Sequence, residues 1–250
     1  MNSPYSGFLK CCFHSHTQEQ NPYTPSELLA AAKADGYDVL AVTEHDQVYF
    51  PDSLRREADE MGILLLPGIE VSIGRQKKHV LLVNADRFPK CRMDVNDLRG
   101  WWYGEADRQR TLMIAPHPFY PREFCLNGTL RTNIDLFDAV EFNYCRVPFF
   151  DPNRRAVRIA KEFDKPVVGT GDVHKLWNLA PTYTLVRSAK EPDAIVDAVK
   201  SSGFDDCVIN GDPRCFHDKT ILVRTRYLNS AEMFRTARML LFDGDDPILG

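Results

Sequence analysis

Six of the seven histidines sit at the ends of short apolar runs, each beside a carboxylate or another imidazole. His14 and His16 stand in F-H-S-H-T, His45 in V-T-E-H-D, His79 in K-K-H-V-L-L-V, His117 in I-A-P-H-P-F and His174 in G-T-G-D-V-H-K. Glu70, in L-L-L-P-G-I-E-V-S, and Asp172, in G-D-V-H, follow the same habit. Short continuous apolar runs suit strands buried on both faces, as in parallel sheets. Each polar residue then falls at or near a strand's C-terminal end, where α/β barrels build their active sites. Imidazoles and carboxylates gathered at one point suit hydrolytic metals such as zinc, manganese or iron.

The order along the chain is strand, helix, strand, repeated. Strands are expected at 8–13, 39–42, 63–66, 80–83, 112–115, 139–142 and 167–169, with a further one near Val208. Thr24-Pro25-Ser26-Glu27 is a helix start: Thr24 caps, Pro25 takes the first helical position and Glu27 completes a capping box. Leu28, Leu29 and Ala32 form the apolar face, and Gly36 ends the helix. Further helices are expected at 52–61, at 151–163 with Asp151 as N-cap, at 192–202, and at 230–241 as an amphipathic outer helix. The alternation predicts parallel β/α architecture closed, or nearly closed, into a barrel. The expected organisation is one domain over residues 1–250, with a core over about 8–225 and a C-terminal helix and tail over 226–250.

Composition narrows the function classes. A net charge of −4 gives no electrostatic footprint for duplex DNA or an anionic membrane. No apolar stretch reaches the length of a membrane span, and the first residues do not read as a secretory signal. Seven cysteines without framework spacing predict reduced thiols and a cytoplasmic setting.

The motifs carry the chemistry. His14 and His16 are two apart, so on a strand both rings face one way; they could bind one metal or pair by hydrogen bonding. In Glu44-His45-Asp46 the imidazole is the candidate ligand, and either acid could orient a ring from behind; a solvated acidic loop is the alternative. Glu70 could bridge two metals. His79 begins its strand, so it reaches the same face only if that strand runs antiparallel or if 74–78 is a tight return. Prolines on both sides of His117 fix its backbone. Asp172 and His174 repeat the His14/His16 spacing, and glycines at 169 and 171 allow a tight turn. No role is assigned to His217.

Taken in order, these motifs resemble the PHP family, named for polymerase and histidinol phosphatase. Its pattern of H-x-H, T-D/E-H, P-G-x-E, a lone His, H-P and S-D-x-H is matched by His14/His16, Glu44-His45, Pro67-Gly68-Ile69-Glu70, His79, His117-Pro118 and Asp172-Val173-His174. The stretches around Glu141 and Asn153 also resemble family segments. The resemblance implies a distorted (β/α)7 TIM-like barrel holding two to three divalent ions of manganese, zinc or iron. It implies His14, His16, Glu70 and Asp172 at a first metal, Glu70, His79 and His117 at a second, and His45 with His174 at a third. Two departures stand out. Cys12 replaces the usual Asp before H-x-H and by strand alternation is expected near the site, and Gln18-Glu19-Gln20-Asn21-Pro22 replaces the usual S-D-G, leaving Glu19 or Asn21 as substitutes. Gly171 in place of serine is a smaller change.

The expected activity is phosphoester hydrolysis by a metal-bridging hydroxide, with Glu70, Asp172 and His45 carrying the catalysis. Lys175, next to His174, and Arg122, near His117-Pro118, are the candidates for binding phosphate, ahead of Arg146 and Arg154. A small phosphomonoester, either a phosphorylated metabolite or a mononucleotide, is expected over long nucleic acid. The alternatives are an exonuclease acting on oligonucleotides and a non-catalytic metal-binding module.

Overall fold

The apolar runs become strands of one ten-stranded sheet in the computed structural model, which describes residues 6–17, 21–85, 87–90, 93–210 and 218–241, with backbone alone at 238–241. The strands are β1 (Leu9–Cys12), β2 (Val39–Val42), β3 (Leu64–Ile73), β4 (Lys78–Val83), β5 (Leu112–Ala115), β6 (Ala139–Asn143), β7 (Val167–Thr170), β8 (Thr182–Val186), β9 (Cys207–Ile209) and β10 (Ile221–Thr225). Their spatial order is β7-β6-β5-β4-β3-β2-β1-β8-β10-β9. Pairs β1–β2, β2–β3, β5–β6 and β6–β7 are parallel, as the alternation predicts. Two strands run the other way. β4 is antiparallel to β3 and to β5, and β8 is antiparallel to β1 and to β10. The expectation of uniformly parallel strands is corrected there. Residues 74–77 are too few for a crossover, so they close a hairpin.

The sheet curls until β7 stands beside β8 and β10, giving a nearly closed, distorted α/β barrel. Thr184 stitches the seam: its hydroxyl donates to Gly169 O at 2.7 Å and accepts from Gly169 N at 2.8 Å. The seam is tight because residue 169 has no side chain. A Cβ there would lie 2.6 Å from Val223 Cγ1 and 3.0 Å from Tyr183 O. Gly169→Ala is therefore expected to cost about 2 kcal/mol by overpacking. At about 2–4 °C per kcal/mol for a chain of this size, the melting temperature falls by roughly 4–8 °C. Gly100→Ala, where the added methyl meets nothing within 4 Å, is the control. Equal melting temperatures for the two variants in calorimetry would refute the tight seam.

Helices cover the outside of the barrel: α1 (Pro25–Ala34), α2 (Asp52–Glu60), α3 (Val95–Gly104), the short α4 (Gly128–Thr132), α5 (Asn153–Glu162), α6 (Pro192–Lys200) and α7 (Ser230–Leu241). α1 starts on the expected capping box, with Glu27 N donating to Thr24 Oγ1 and Thr24 N donating to Glu27 Oε2. Leu28, Leu29 and Ala32 bury its inner face against Leu40, Val42 and Leu65 of the sheet. The Asp151 carboxylate accepts from Asn153 N at 3.1 Å, so it does cap, although the helix begins after Pro152. Among the described residues, no helix is long and apolar enough to cross a membrane.

Candidate metal centre

The strand ends deliver the predicted side chains to one buried point. The His14–His16 segment leaves β1 and is pinned on both sides. Ser15 Oγ donates to Ala41 O at 2.6 Å, Ser15 N donates to Thr43 Oγ1 at 3.1 Å, and Val173 N donates to His14 O at 3.2 Å. The chain at Glu44–Asp46 lies alongside Glu70, with Glu70 N donating to Glu44 O at 3.0 Å and Asp46 N donating to Glu70 O at 2.9 Å. His79 arrives through the β3–β4 hairpin, in register with Ser72. His117 and Asp172 hold φ of 27° and 43°, the left-handed region that costs a non-glycine residue energy.

Glu70, fully buried, is the hub. Its Oε2 lies 3.0 Å from His14 Nε2, 3.0 Å from His45 Nε2 and 3.4 Å from His16 Nε2. Its Oε1 lies 2.8 Å from His79 Nδ1 and 2.8 Å from His117 Nε2. Asp172 Oδ1 sits 3.2 Å from His174 Nε2, 3.3 Å from His14 Nε2 and 3.6 Å from His16 Nε2. The His16 ring stacks with those of His45 and His174, at 4.4 and 4.2 Å between centroids, and the latter two lie 5.7 Å apart.

Cations fit this donor set. Five imidazoles crowd the two oxygens of one carboxylate, more than it can accept from in good geometry. His16 Nε2 and Asp172 Oδ1 are buried without a hydrogen-bond partner, a costly state for an apolar interior to leave unfilled. Three groups have ligand atoms within 4.8 Å of one another: His14, His16, Glu70 and Asp172; His45, Glu70 and His79; and His16, His45 and His174. The first is the set implied for the first metal. In the second, His45 stands with Glu70 and His79, and His117 joins through its own contact with Glu70. In the third, His16 joins His45 and His174.

Burial alone would raise the Glu70 pKa, but His14, His79 and His45 hold it well below the carboxylate range. Asp172 behaves alike, held down against burial chiefly by His14, His16 and His174. Both acids are therefore anions at neutral pH. Burial, reinforced by His16, lowers His174 to about 4, so that ring keeps its lone pair. Burial would also lower His14 and His117, yet Glu70, Asp172 and Glu141 hold the first well above its ordinary value, and Cys125 and Glu70 hold the second there. Those two rings must lose protons before they can ligate. Metal uptake at pH 7 is thus expected to release about two protons per chain, one each from His14 and His117, and affinity should weaken on acidification. Calorimetry in buffers of different ionisation enthalpy measures the count; a heat independent of buffer would contradict it.

Several supporting groups had been given no role from the sequence, although the stretches around Glu141 and Asn153 were noted as resembling family segments. Glu141, fully buried, accepts from His14 Nδ1 at 2.9 Å and so fixes which nitrogen of that ring faces Glu70. Asn143 Nδ2 donates to Glu141 at 3.0 Å, and Asn153 holds the Asn143 backbone at both N and O. Cys125 Sγ lies 3.6 Å from His117 Nδ1. The available signal was a lone carboxylate inside the apolar run A-V-E-F-N, the same pattern that marks Glu70. Of the two acids flanking His45, Glu44 accepts from Thr17 N and Oγ1 and turns its other oxygen to 3.9 Å from His16 Nδ1, while Asp46 accepts from Ser72 N.

Other expectations fare differently. Cys12 packs under α1 with Leu28 and Leu40, its thiol 3.3 Å from His14 O. β1 ends there, so strand alternation does not carry through to His14. Gly171 is no small departure: a Cβ would lie 2.5 Å from Asn178 O, because the turn Leu176–Leu179 crosses directly over it. Arg122 lines a cleft of about 890 Å³ with His45, His79, Lys77 and Lys78. Lys175 does not share that cleft. It lines instead a hollow of about 330 Å³ with Tyr23, Trp177 and Arg235. Asn21 Nδ2 is buried without a partner, whereas Glu19, His217 and the tail at 244–250 lie outside the described residues.

Comparison with known proteins agrees with this geometry. The PHP-associated family model matches residues 150–202. A 5'-3' exoribonuclease of Haemophilus influenzae is 34% identical over 77 residues, which are 30% of this chain and only 28% of that protein. A two-domain protein of Bacteroides vulgatus containing a predicted PHP-like metal-dependent phosphoesterase superposes with a TM-score of 0.58 at 21% identity, over 82% of this chain and 68% of that one. A Bifidobacterium adolescentis protein assigned as a metal-dependent phosphoesterase gives 0.54 at 16% identity, over 66% and 87%. PsfC of Pseudomonas syringae gives 0.57 at 13% identity, over 93% and 97%. The chain thus has the fold of the PHP-like metal-dependent phosphoesterases and carries their associated segment at residues 150–202.

Proposed function

We propose that the protein hydrolyses a small phosphomonoester, a phosphorylated metabolite or mononucleotide, using two to three divalent ions of manganese, zinc or iron. One observation carries the reading: buried Glu70 is the meeting point of five imidazoles, two of which, His45 and His79, line an open cleft. Bound ions would supply a water of lowered pKa and neutralise charge on the phosphoryl oxygens. His14, His16, Glu70 and Asp172 would hold one ion, Glu70, His79 and His117 another, and His45 with His174 a third.

The chain's own groups do the rest. Glu70 and Asp172, anionic at neutral pH, hold positive charge where the ester must bind. His45 both contacts Glu70 and lines the cleft, so it stands between the buried cluster and the space where the ester would bind, and an ion it held would face that space. Arg122, Lys77 and Lys78 put cationic side chains around the same space to orient the phosphate. Lys175, set in its separate hollow, is a weaker candidate for that contact.

A second reading, exonucleolytic cleavage of short oligonucleotides at the same centre, is supported by the partial likeness to the Haemophilus influenzae exoribonuclease. A net charge of −4 argues against a long polyanion as substrate, since such binding needs a track of cations. Protein reconstituted with manganese, iron or zinc, its metal content measured alongside, should turn over monophosphates faster than any oligonucleotide. Degradation of long single strands with no monophosphate turned over would transfer the assignment to the second reading. A cytoplasmic setting belongs to the same proposal, supported by Cys11, Cys12, Cys125, Cys145 and Cys207 all standing as thiols.

A further inference from the structure

Beside the metal cleft lies a second, nearly dry cavity of about 260 Å³. The two are continuous in their walls, sharing Tyr120 and Pro121. Val147, Phe149, Phe150, Leu228 and Met233 supply most of the remaining surface. Among the described residues the one charged side chain on the lining is Arg146; its Nε lies 3.4 Å from Asp151 Oδ2, and its guanidinium sits 4.1 Å over the Tyr227 ring. The link to the cleft runs through Tyr120, which lines both hollows. Cys145 Sγ, on the lining, is 3.5 Å from Tyr120 Oη, and the thiol is pushed up to about 11 by burial, with the Asp172 charge adding to the rise.

Phe149 is 82% exposed and Phe150 45%, so two large aromatic side chains stand in water at the mouth of an empty apolar hollow. Such surface is left uncovered where something is meant to cover it. The volume is too small for a protein segment with its backbone, but it exceeds the roughly 150 Å³ that accommodates a benzene ring in a dry cavity. Aromatic walls favour a ring over a flexible chain, since rings pack edge to face or offset at little entropic cost. With so little polar surface, a ring rich in hydrogen-bonding edges would leave them unpaired.

We propose that this cavity is a specificity subsite that takes an apolar aromatic ring carried on the alcohol of the phosphoester. The proposal rests on the phosphoesterase reading and narrows its substrate class. The chemical step is unchanged: water oxygen bonds to phosphorus, the P–O bond to the ring-bearing alcohol breaks, and a water proton ends on that alcohol.

The test compares 2-phenylethyl phosphate with ethyl phosphate, whose alcohols leave with similar ease, on metal-reconstituted protein. The aromatic ester is expected to win in kcat/KM by about tenfold or more. Ala237→Trp, which fills the cavity from an exposed position on α7, should pull the ratio towards one while leaving ethyl phosphate turnover unchanged. Phe149→Ala, at a position too exposed to matter for folding, should reduce the ratio as well. Calorimetry with the two corresponding phosphonates, which cannot be hydrolysed, separates this proposal from the reading beneath it. Tighter binding of the aromatic phosphonate, lost in Ala237→Trp, supports the subsite even if no monoester is turned over, and then only the phosphoesterase reading fails. Equal binding of the two phosphonates overturns the subsite, whatever the turnover.

Discussion

Glu70→Gln is expected to abolish turnover and metal uptake together while leaving the barrel folded. The amide keeps the shape of the side chain, and Glu70 contributes no apolar packing, so the surrounding core of Val71, Leu81 and Ile114 is untouched. What disappears is the one charge on which His14, His16, His45, His79 and His117 converge. An amide nitrogen facing two of those rings is a donor set against groups that must present lone pairs to a cation. Charge stabilisation by bound metal is worth several kcal/mol, so the fall in kcat/KM should reach about a thousandfold or more. Elemental analysis should find the variant depleted in the ions that the unaltered protein retains, with an unchanged circular dichroism spectrum. Wild-type rates at saturating metal would remove Glu70 from its central place. Loss of the folded signal in the metal-free variant would mean that the carboxylate is needed to hold the imidazoles together, a role separate from ligation.

Much of this arrangement was legible because buried parallel strands write themselves as plain apolar runs. Val39–Val42 and Leu112–Ala115 have the bounds that their composition predicts, and the residue just beyond such a run is the one delivered to the barrel's mouth. The eight histidine and carboxylate positions read from sequence all reach one cluster. Less visible were elements whose residues belong to no single pattern. α3 contains two tryptophans, a tyrosine and two glycines, a poor helical composition, and forms because Asp94 caps it through Asn96 N and Asp97 N while Leu98, Trp101 and Trp102 bury against the sheet. β8, T-Y-T-L-V, alternates polar and apolar residues because one of its faces supplies threonines to the barrel seam. Strand direction was legible where strands and helices alternate; at β4 the position of His79 left an antiparallel strand or a tight return at 74–78 open, and the structure uses both in one hairpin.

The cations that line the cleft were the least legible, for a simple reason. A cation's place depends on which way its side chain leaves the loop, and neighbouring residues leave in opposite directions. His174 meets Asp172 in the buried cluster; Lys175, one residue on, lines a separate hollow. Lys77 and Lys78 are far from His117 and His174 in sequence, yet the hairpin that inverts β4 sets them on the cleft beside Arg122. Glu141 escaped for the opposite reason: it sits inside a strand, not at its end, and reaches the site by pointing into the barrel at His14.

Asp172→Asn is expected to cost nearly as much as the change at Glu70, and it isolates charge more cleanly. Asp172 adopts φ of 43°, a conformation that asparagine tolerates about as readily as aspartate, so the backbone strain at this position is the same in both proteins. The side chain is almost isosteric. The variant therefore differs in one respect: Oδ1, buried, without a hydrogen-bond partner and within 3.6 Å of His14, His16 and His174, loses its negative charge. An ion held by His14, His16 and Glu70 would then lack one of its two anionic ligands. A loss of several kcal/mol again corresponds to about a thousandfold in kcat/KM. Because Glu70 remains, the pair of rings at His79 and His117 keeps its carboxylate, and part of the metal complement should persist. Reduced but non-zero metal content with turnover lost is the expected combination. Full metal content with wild-type turnover would place Asp172 outside the reacting centre, and complete loss of metal would mean that the two sites fill only together.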